Sequence, residues 1–334
     1  MQQRFLRYLV CPACKASTLT IHRLSGTKDL GDGILLCSKC ASWFLVENGI
    51  PELVKESINF DRKLKFFEKH NLSRFRFPLR SPSQRGASRG EINQKKSQMR
   101  FFDAFSRDYV LERHSFWKAY YTAFFEEFLP QIPVDSVILD LGCGTGLGSL
   151  PFLHSSYTVI GVDISREMLQ KAVARVPASQ YGRHLFMVAD AENLPFRQDA
   201  FDVCIGMGIL HHVYSVHGVV RSVSCCLRKG GIYLGHENNK TIFRPLFDFL
   251  MKLCALWHEE AGKDQLFSAR DLERYFSHYE VHSRSHVFLP PHLFNFFPQR
   301  IAKNLLQFTD SMCYRIPLLR NQGGTIVFDA RKIS

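Results

Sequence analysis

The sequence predicts an α/β protein: a parallel sheet flanked by helices, with a small cysteine-rich module in front. Three observations carry that prediction. From residue 99 onward, apolar runs of strand character alternate with segments of helical spacing. One of those runs, residues 137–141, leads into three alternate glycines, Gly142, Gly144 and Gly146. Ahead of both stand two Cys-x-x-Cys pairs.

The bulk numbers set limits. A length of 334 residues suits two domains, and 46% apolar residues suffice for a packed core. The net charge of +12 is concentrated: residues 61–100 hold 12 Lys/Arg against 3 Asp/Glu. Residues 57–98 therefore read as a basic linker, with 78–91 flexible by composition. The sharper reading makes that segment an electrostatic foot for RNA or anionic lipid. No secretory leader pattern is present, and no apolar window is long enough to span a bilayer. The best candidate, residues 242–257, is broken by Arg244, Asp248 and Lys252. It suits a membrane surface rather than a crossing. Ten cysteines, four of them paired at the front, point to a reducing cytoplasm and not to a disulfide framework.

The first element is the cysteine module, residues 1–56. Cys11–Cys14 and Cys37–Cys40 are knuckles separated by 22 residues. Each presents two thiolates from a tight turn, and together they complete a closed, structural, tetrahedral zinc site. A redox role is the alternative, but the pairs lack the strand–helix setting such chemistry uses. A module this small buries little surface, so the metal supplies much of its folding energy. The stretch "LVCPACKASTL…GILLCSKCASWFLVENGIPEL", with its Gly49-Ile50-Pro51 exit, resembles the short zinc-ribbon proteins that activate tRNA and protein methyltransferases. That resemblance covers about the first 54 residues. It implies a ribbon that covers a methyltransferase's apolar surface, here in cis. A ribosomal-RNA guanine methyltransferase family also begins with a zinc module, with a different ligand pattern.

The second element, residues 99–334, holds the sheet. Helices are expected over 99–109, 116–129, 166–176, 216–227 and 269–276. Strands are expected over 136–141, 157–162, 184–188, 201–206, 232–236, 279–287 and 325–330. The last two close the sheet, making seven.

The glycine loop is the centre of the functional reading. Glycine allows positive φ and close ligand approach, and a helix from about Leu147 would offer free N–H groups. Seventeen residues past Gly146 a second strand ends in Asp163, well placed for ribose hydroxyls. The dinucleotide pattern fails, because the third glycine position holds Leu147 or Ser149. Asp140 at the loop mouth would repel a pyrophosphate. It suits S-adenosylmethionine, which has no phosphate and carries a cationic sulfonium and amino group.

Residues 101–237 resemble class I S-adenosylmethionine-dependent methyltransferases with a Rossmann-like sheet. "FFDAFSRDYV" is similar to the family's lead-in helix, which implies Tyr109 near the cofactor. "VILDLGCGTG" resembles the glycine motif and "VIGVDIS" the second-strand acid. "FMVADAENLPF" resembles the adenine motif, implying Asp190 on the adenine amino group with Ala191 beside it. "FDVCIGMGILHHV" and "CLRKGGIYLGHEN" resemble the fourth and fifth strands, with Gly206 on the cofactor side. The ubiquinone/menaquinone-pathway group is the most similar part of the family.

A sulfonium is already a strong methyl donor, so the protein's task is alignment and exclusion of water. His211, His212, His236 and Glu237 fall at strand ends four and five, as candidates for acceptor contact or base. The bland alternative for the histidine pair is packing. Cys143 reads as a small filler, and Cys225-Cys226 as core. Two aromatic insertions, 238–267 and 288–322, read as a cap with an apolar lining, or as an extra core. The cap reading implies a hydrophobic small-molecule or lipid-linked acceptor, with peripheral membrane contact. An RNA methyltransferase and a non-catalytic cofactor-binding partner protein are the alternatives.

Overall fold

The computed structural model describes residues 1–25, 31–75, 88–106, 114–153, 156–246, 249 and 265–333. A short 3-10 turn, Gln3–Tyr8, opens the chain. Strands β1 (Leu19–Arg23), β2 (Gly33–Cys37) and β3 (Trp43–Glu47) form an antiparallel meander, and β4 (Ile50–Leu53) folds back on β3. Then follow β5 (Val137–Leu141), β6 (Thr158–Asp163), β7 (His184–Ala189), β8 (Phe201–Met207), β9 (Leu227–Asn238), β10 (Tyr279–His286) and β11 (Thr325–Lys332).

The last seven strands lie in the order β7-β6-β5-β8-β9-β11-β10. The first five of these are parallel, and β11 and β10 pair antiparallel. This is the seven-stranded Rossmann-like sheet that the sequence predicts. Alternation along the strands feeds two faces. Ile138, Val203, Leu234 and Val327 enter one core cluster, and Leu139, Cys204, Tyr233 and Phe328 enter the other.

The ribbon does not hang from a tether. Strand β4 pairs in parallel with β7, Glu52 opposite Val188 and Leu53 opposite Ala189, so one eleven-stranded sheet results. Every residue of β7 is buried. A buried apolar strand at a sheet edge exposes unpaired backbone groups, and the ribbon covers that edge. Phe5, Leu9, Leu35, Phe44 and Leu53 share a core cluster with Leu141, Met187 and Ala189.

The expected basic linker contains two helices, α1 (Glu56–Lys69) and α2 (Arg89–Phe105). Residues 78–87 of the expected flexible stretch lie outside the described residues, and its end starts α2. Several cations of this segment pair with acids, most of them outside it. Arg62 pairs with buried Glu52 at 2.8 Å, Lys63 with Glu56, Lys69 with Glu47 at 2.8 Å and Lys95 with Asp190 at 2.8 Å. Arg166 joins Glu52 at 3.2 Å, stitching the ribbon to the sheet domain.

The remaining helices are α3 (Ser115–Phe128), α4 (Arg166–Arg175), α5 (Val216–Cys226), α6 (Ala269–Tyr275), α7 (Pro291–Phe294) and α8 (Gln299–Tyr314). Helix α5 illustrates why they form. Ser215 caps it by accepting the Gly218 N–H at 3.0 Å, and Val216, Val219, Val220 and Val223 make one buried stripe. Each such side chain contributes on the order of 1.5–3 kcal/mol. Cys226 is buried, but Cys225 is exposed, so only half of that pair is core.

One expectation needs correction, and of two open readings of an insertion the packing favours one. No helix starts at Leu147: turns lead into a 3-10 segment, Leu150–Phe152, with Pro151 in its first turn. Left-handed Gly144 (φ +50°) and Gly146 (φ +82°) redirect the chain before a helix can nucleate. The insertion 288–322 is mainly a packed helical layer. Phe294 packs against Phe116, ring centroids 5.7 Å apart, and Ala302 and Leu306 bury in the α3 cluster. Of that insertion only Pro291 lines the main cavity. Most of the insertion 238–267 lies outside the described residues, though Asn238 and Arg244 line the cavity.

Candidate functional site

The main cavity opens at the carboxyl ends of β5 to β9, where ligands of such sheets sit. Its floor is the glycine loop. Gly142 has φ +67°, and a Cβ there would meet the Ile209 side chain at 2.7 Å. Gly144 also has positive φ, with nothing within 4 Å of a Cβ, so its backbone faces open space. Gly146 packs against Ala172 and does not line the cavity.

Two acids flank this loop. Asp140 is buried and accepts the Ser149 hydroxyl at 2.5 Å. Burial, and then the charge of Asp163, push its carboxyl up to about 7. Asp163 accepts the Gly144 N–H at 2.9 Å on one oxygen and the Ser165 N–H at 2.8 Å on the other. Its carboxyl is pushed up to about 6, chiefly by burial, against the pull of those two donors. Among the described residues no cationic side chain pairs with either acid. A cation placed between them would relieve both, so the donor set fits a sulfonium and an amino group.

At the other end, Asp190 caps a 3-10 turn by accepting the Glu192 N–H at 3.0 Å. Its second oxygen receives Lys95 from α2 at 2.8 Å. Helix α2 forms the roof. Lys95, Gln98, Phe101, Phe102 and Phe105 recur at near-helical spacing and all line the cavity. The roof is fastened a second time, where Asp103 accepts the Ser165 hydroxyl at 2.6 Å and the Glu167 N–H at 3.3 Å.

The wall beyond the glycine loop gathers His211, His212, His236 and Glu237. Their roles differ by environment. The ring of His236 is pushed down to about 3, by burial and then by the charges of His211 and His286. His212 is pushed well below its ordinary value by burial and by His211. Both are neutral rings, and His212 meets Phe102 edge-on at 5.2 Å. Glu237 is buried, taking the Leu210 N–H at 2.7 Å and His211 Nδ1 at 2.7 Å. If Nδ1–H is given to Glu237, the neutral ring of His211 would carry its lone pair on Nε2. Trp117, Tyr121, Phe116 and Phe105 complete an aromatic wall.

Outside the cavity lining the four cysteines converge. Their sulfurs lie within 4.8 Å of one another, with Cys11–Cys40 and Cys14–Cys37 each at 3.6 Å. The two knuckles share one geometry. Lys15 N–H donates to the Cys11 carbonyl and Ala41 N–H to the Cys37 carbonyl, and Lys15 and Ala41 both take left-handed φ.

The structure thus brings Asp140, Gly142, Gly144, Asp163, Asp190 and Ala191 together around one cavity. Gly206 is not on it: a Cβ there would clash with the Tyr233 hydroxyl at 2.0 Å, so that glycine serves packing. Tyr109 lies outside the described residues. The sequence reading missed Lys95, Gln98, Trp117 and Tyr121. The helix that carries the first two was legible in Ser88-Arg89-Gly90-Glu91, a helix-start pattern inside the apparent linker, but their turn toward the cavity was not.

Residues 139–235 match the family described as a methyltransferase domain. A tRNA (carboxymethyluridine(34)-5-O)-methyltransferase of Arabidopsis thaliana is 35% identical over 122 residues, 36% of this chain and 26% of the relative. A ubiquinone biosynthesis O-methyltransferase of Paramagnetospirillum magneticum is 31% identical over 132 residues, 39% of this chain and 52% of the relative. The matches therefore span about a quarter and about half of those relatives. Among solved structures, a chain from the complex containing the Haloferax volcanii Trm112 methyltransferase activator aligns with a TM-score of 0.48. It is 19% identical, over 70% of this chain and 98% of that one.

Proposed function

We propose that this chain, which carries a class I S-adenosylmethionine-dependent methyltransferase domain, methylates a hydrophobic small-molecule or lipid-linked acceptor from which His211 removes a proton. The observation that carries this reading is the aromatic lining: Phe102, Phe105, Trp117 and Tyr121 line the same cavity as the His211–Glu237 pair. An aromatic lining excludes water and favours an apolar acceptor. The sulfonium of the bound cofactor supplies an activated methyl group. Asp140 and Asp163 hold the cationic and ribose parts, and the glycine loop lets them approach. His211 Nε2 would accept the proton of an O–H or N–H acceptor. Glu237 is a positioning residue that fixes the tautomer of His211 and stabilises its charged form. His212 and His236, held neutral, shape the wall.

The four cysteines supply a soft, tetrahedral donor set that fits zinc in a structural role. Exposed Ile242, Phe243, Leu246 and Phe296 sit on segments that reach the cavity through Arg244 and Pro291. They support contact with a membrane surface. Among the described residues no helix is long and apolar enough to cross one.

The tRNA methyltransferase relative favours a second reading, an RNA acceptor. Supplying the chain with cofactor and either a lipid-soluble extract or total RNA separates the two. Expected is S-adenosylhomocysteine release with the lipid-soluble fraction. His211→Gln lowers kcat by about 10²- to 10³-fold, with product affinity unchanged. Release only with RNA, falling steeply with salt, would replace the acceptor. Binding without release from any fraction returns the non-catalytic partner reading.

A further inference from the structure

The first part of helix α2 lies in the expected basic linker, yet one of its cations is almost wholly buried. Lys95 is 3% exposed. Its ammonium reaches Glu91 at 2.7 Å, Asp190 at 2.8 Å and Glu192 at 3.3 Å. Three carboxylates around one ammonium leave the cluster anionic, so burying it is costly unless every partner is held. Both oxygens of Asp190 are engaged, one by Glu192 N–H and one by Lys95. Each carboxylate oxygen accepts two bonds, so acceptor capacity remains toward the cavity.

The same helix is fastened at its far end. Asp103 receives the Ser165 hydroxyl and the Glu167 N–H just beyond Asp163. Roof and floor therefore meet at two polar latches, one at each acid loop of the cofactor cavity. Between the latches Gln98 and Phe102 look onto the cavity.

We propose that Lys95 is a cofactor-positioning residue, latching helix α2 onto Asp190 and Glu192 so that the adenosyl end of the cofactor is enclosed. This rests on the methyltransferase reading above. The latch keeps Asp190 aimed, and it holds the roof shut while the cofactor is bound. Enclosure of a ligand by a roof slows its release more than it changes its capture.

Lys95→Met and Lys95→Arg test it on the full chain, with S-adenosylhomocysteine as probe. Expected is about tenfold weaker binding by Lys95→Met, mostly through faster release, with Lys95→Arg restoring most of it. In the wild-type chain, hydrogen exchange across residues 89–105 slows on adding the probe, and in Lys95→Met that slowing is lost. The thermal midpoint without probe separates general unfolding from loss of the latch: a folded Lys95→Met chain with weakened binding supports the proposal. Unchanged or tighter binding overturns it, the latter marking Lys95 as a competitor for Asp190. A wild-type chain that binds no probe overturns the methyltransferase reading itself, and this inference with it.

Discussion

Asp140 and Asp190 line the same cavity, yet only Asp190 has a cationic side chain beside it among the described residues. At the Asp190 end Lys95 supplies the charge that burial demands. At the Asp140 end nothing in the described chain does, and burial pushes that carboxyl up to about 7. The difference teaches what each end awaits. On the proposed reading, the neutral adenine would sit at the Asp190 end, which comes with its own cation. The sulfonium and amino group would bring positive charge to the Asp140 end, which burial pushes toward protonation.

The sharpest way to break the comparison is to remove each charge in turn. Asp140→Asn keeps the shape and the Ser149 contact but discards the charge. It lowers S-adenosylmethionine affinity by roughly hundredfold, about 3 kcal/mol, and lowers S-adenosylhomocysteine affinity less, because that product lacks the sulfonium charge. Asp190→Asn costs less and treats the two ligands alike. Calorimetric titration of both variants with both ligands measures this. Equal losses at the two positions would mean that the ends are not electrostatically distinct.

How much of this was readable beforehand follows from where the partners sit in the chain. Strands β5 to β9 were legible because their apolar runs, the alternate glycines and Asp163 are local signals. The convergence of His211 and Glu237 was half legible: both fall at strand ends, but their 2.7 Å contact depends on β8 and β9 being neighbours. Helix α2 was not recognised as a roof. Lys95 finds Asp190 across 95 residues, and no local pattern separates an inward-turning lysine from a solvated one. Gly206 misled for the opposite reason. Its place beside the β8 end suggested a ligand, whereas the demand comes from Tyr233 on the adjacent strand.

A smaller effect comes from pH. In the free protein the raised carboxyl of Asp140 is protonated below about 7, and that of Asp163 below about 6. A bound cation favours the ionised forms, so binding releases protons near neutrality. Cofactor affinity is therefore full above pH 7 and falls as pH drops through 7, and then faster through 6. At pH 6 the Asp140 step alone lowers it about tenfold. Titrations in buffers of differing ionisation enthalpy count the protons released. Asp140→Asn removes the upper step and leaves the lower one, which separates the two acids.

The smallest expected effect reaches the Asp190 end from outside the cavity. The first cysteine knuckle leans on the loop just after Asp190: Lys15 Nζ donates to the Leu194 carbonyl at 3.1 Å, Val10 N–H to Pro195 at 2.8 Å and Asn193 Nδ2 to Pro12 at 3.3 Å. Stripping the proposed zinc with a chelator loosens that knuckle, and with it the loop that aims Asp190 and Glu192. Product affinity then falls about fivefold, on the order of 1 kcal/mol, while the thermal midpoint drops. The pH step set by Asp140 stays where it was, because the glycine loop makes no such contact with the knuckle. If the stripped chain binds the product as before, the ribbon supports stability and the sheet edge only. The Asp190 end would then be held by Lys95 alone.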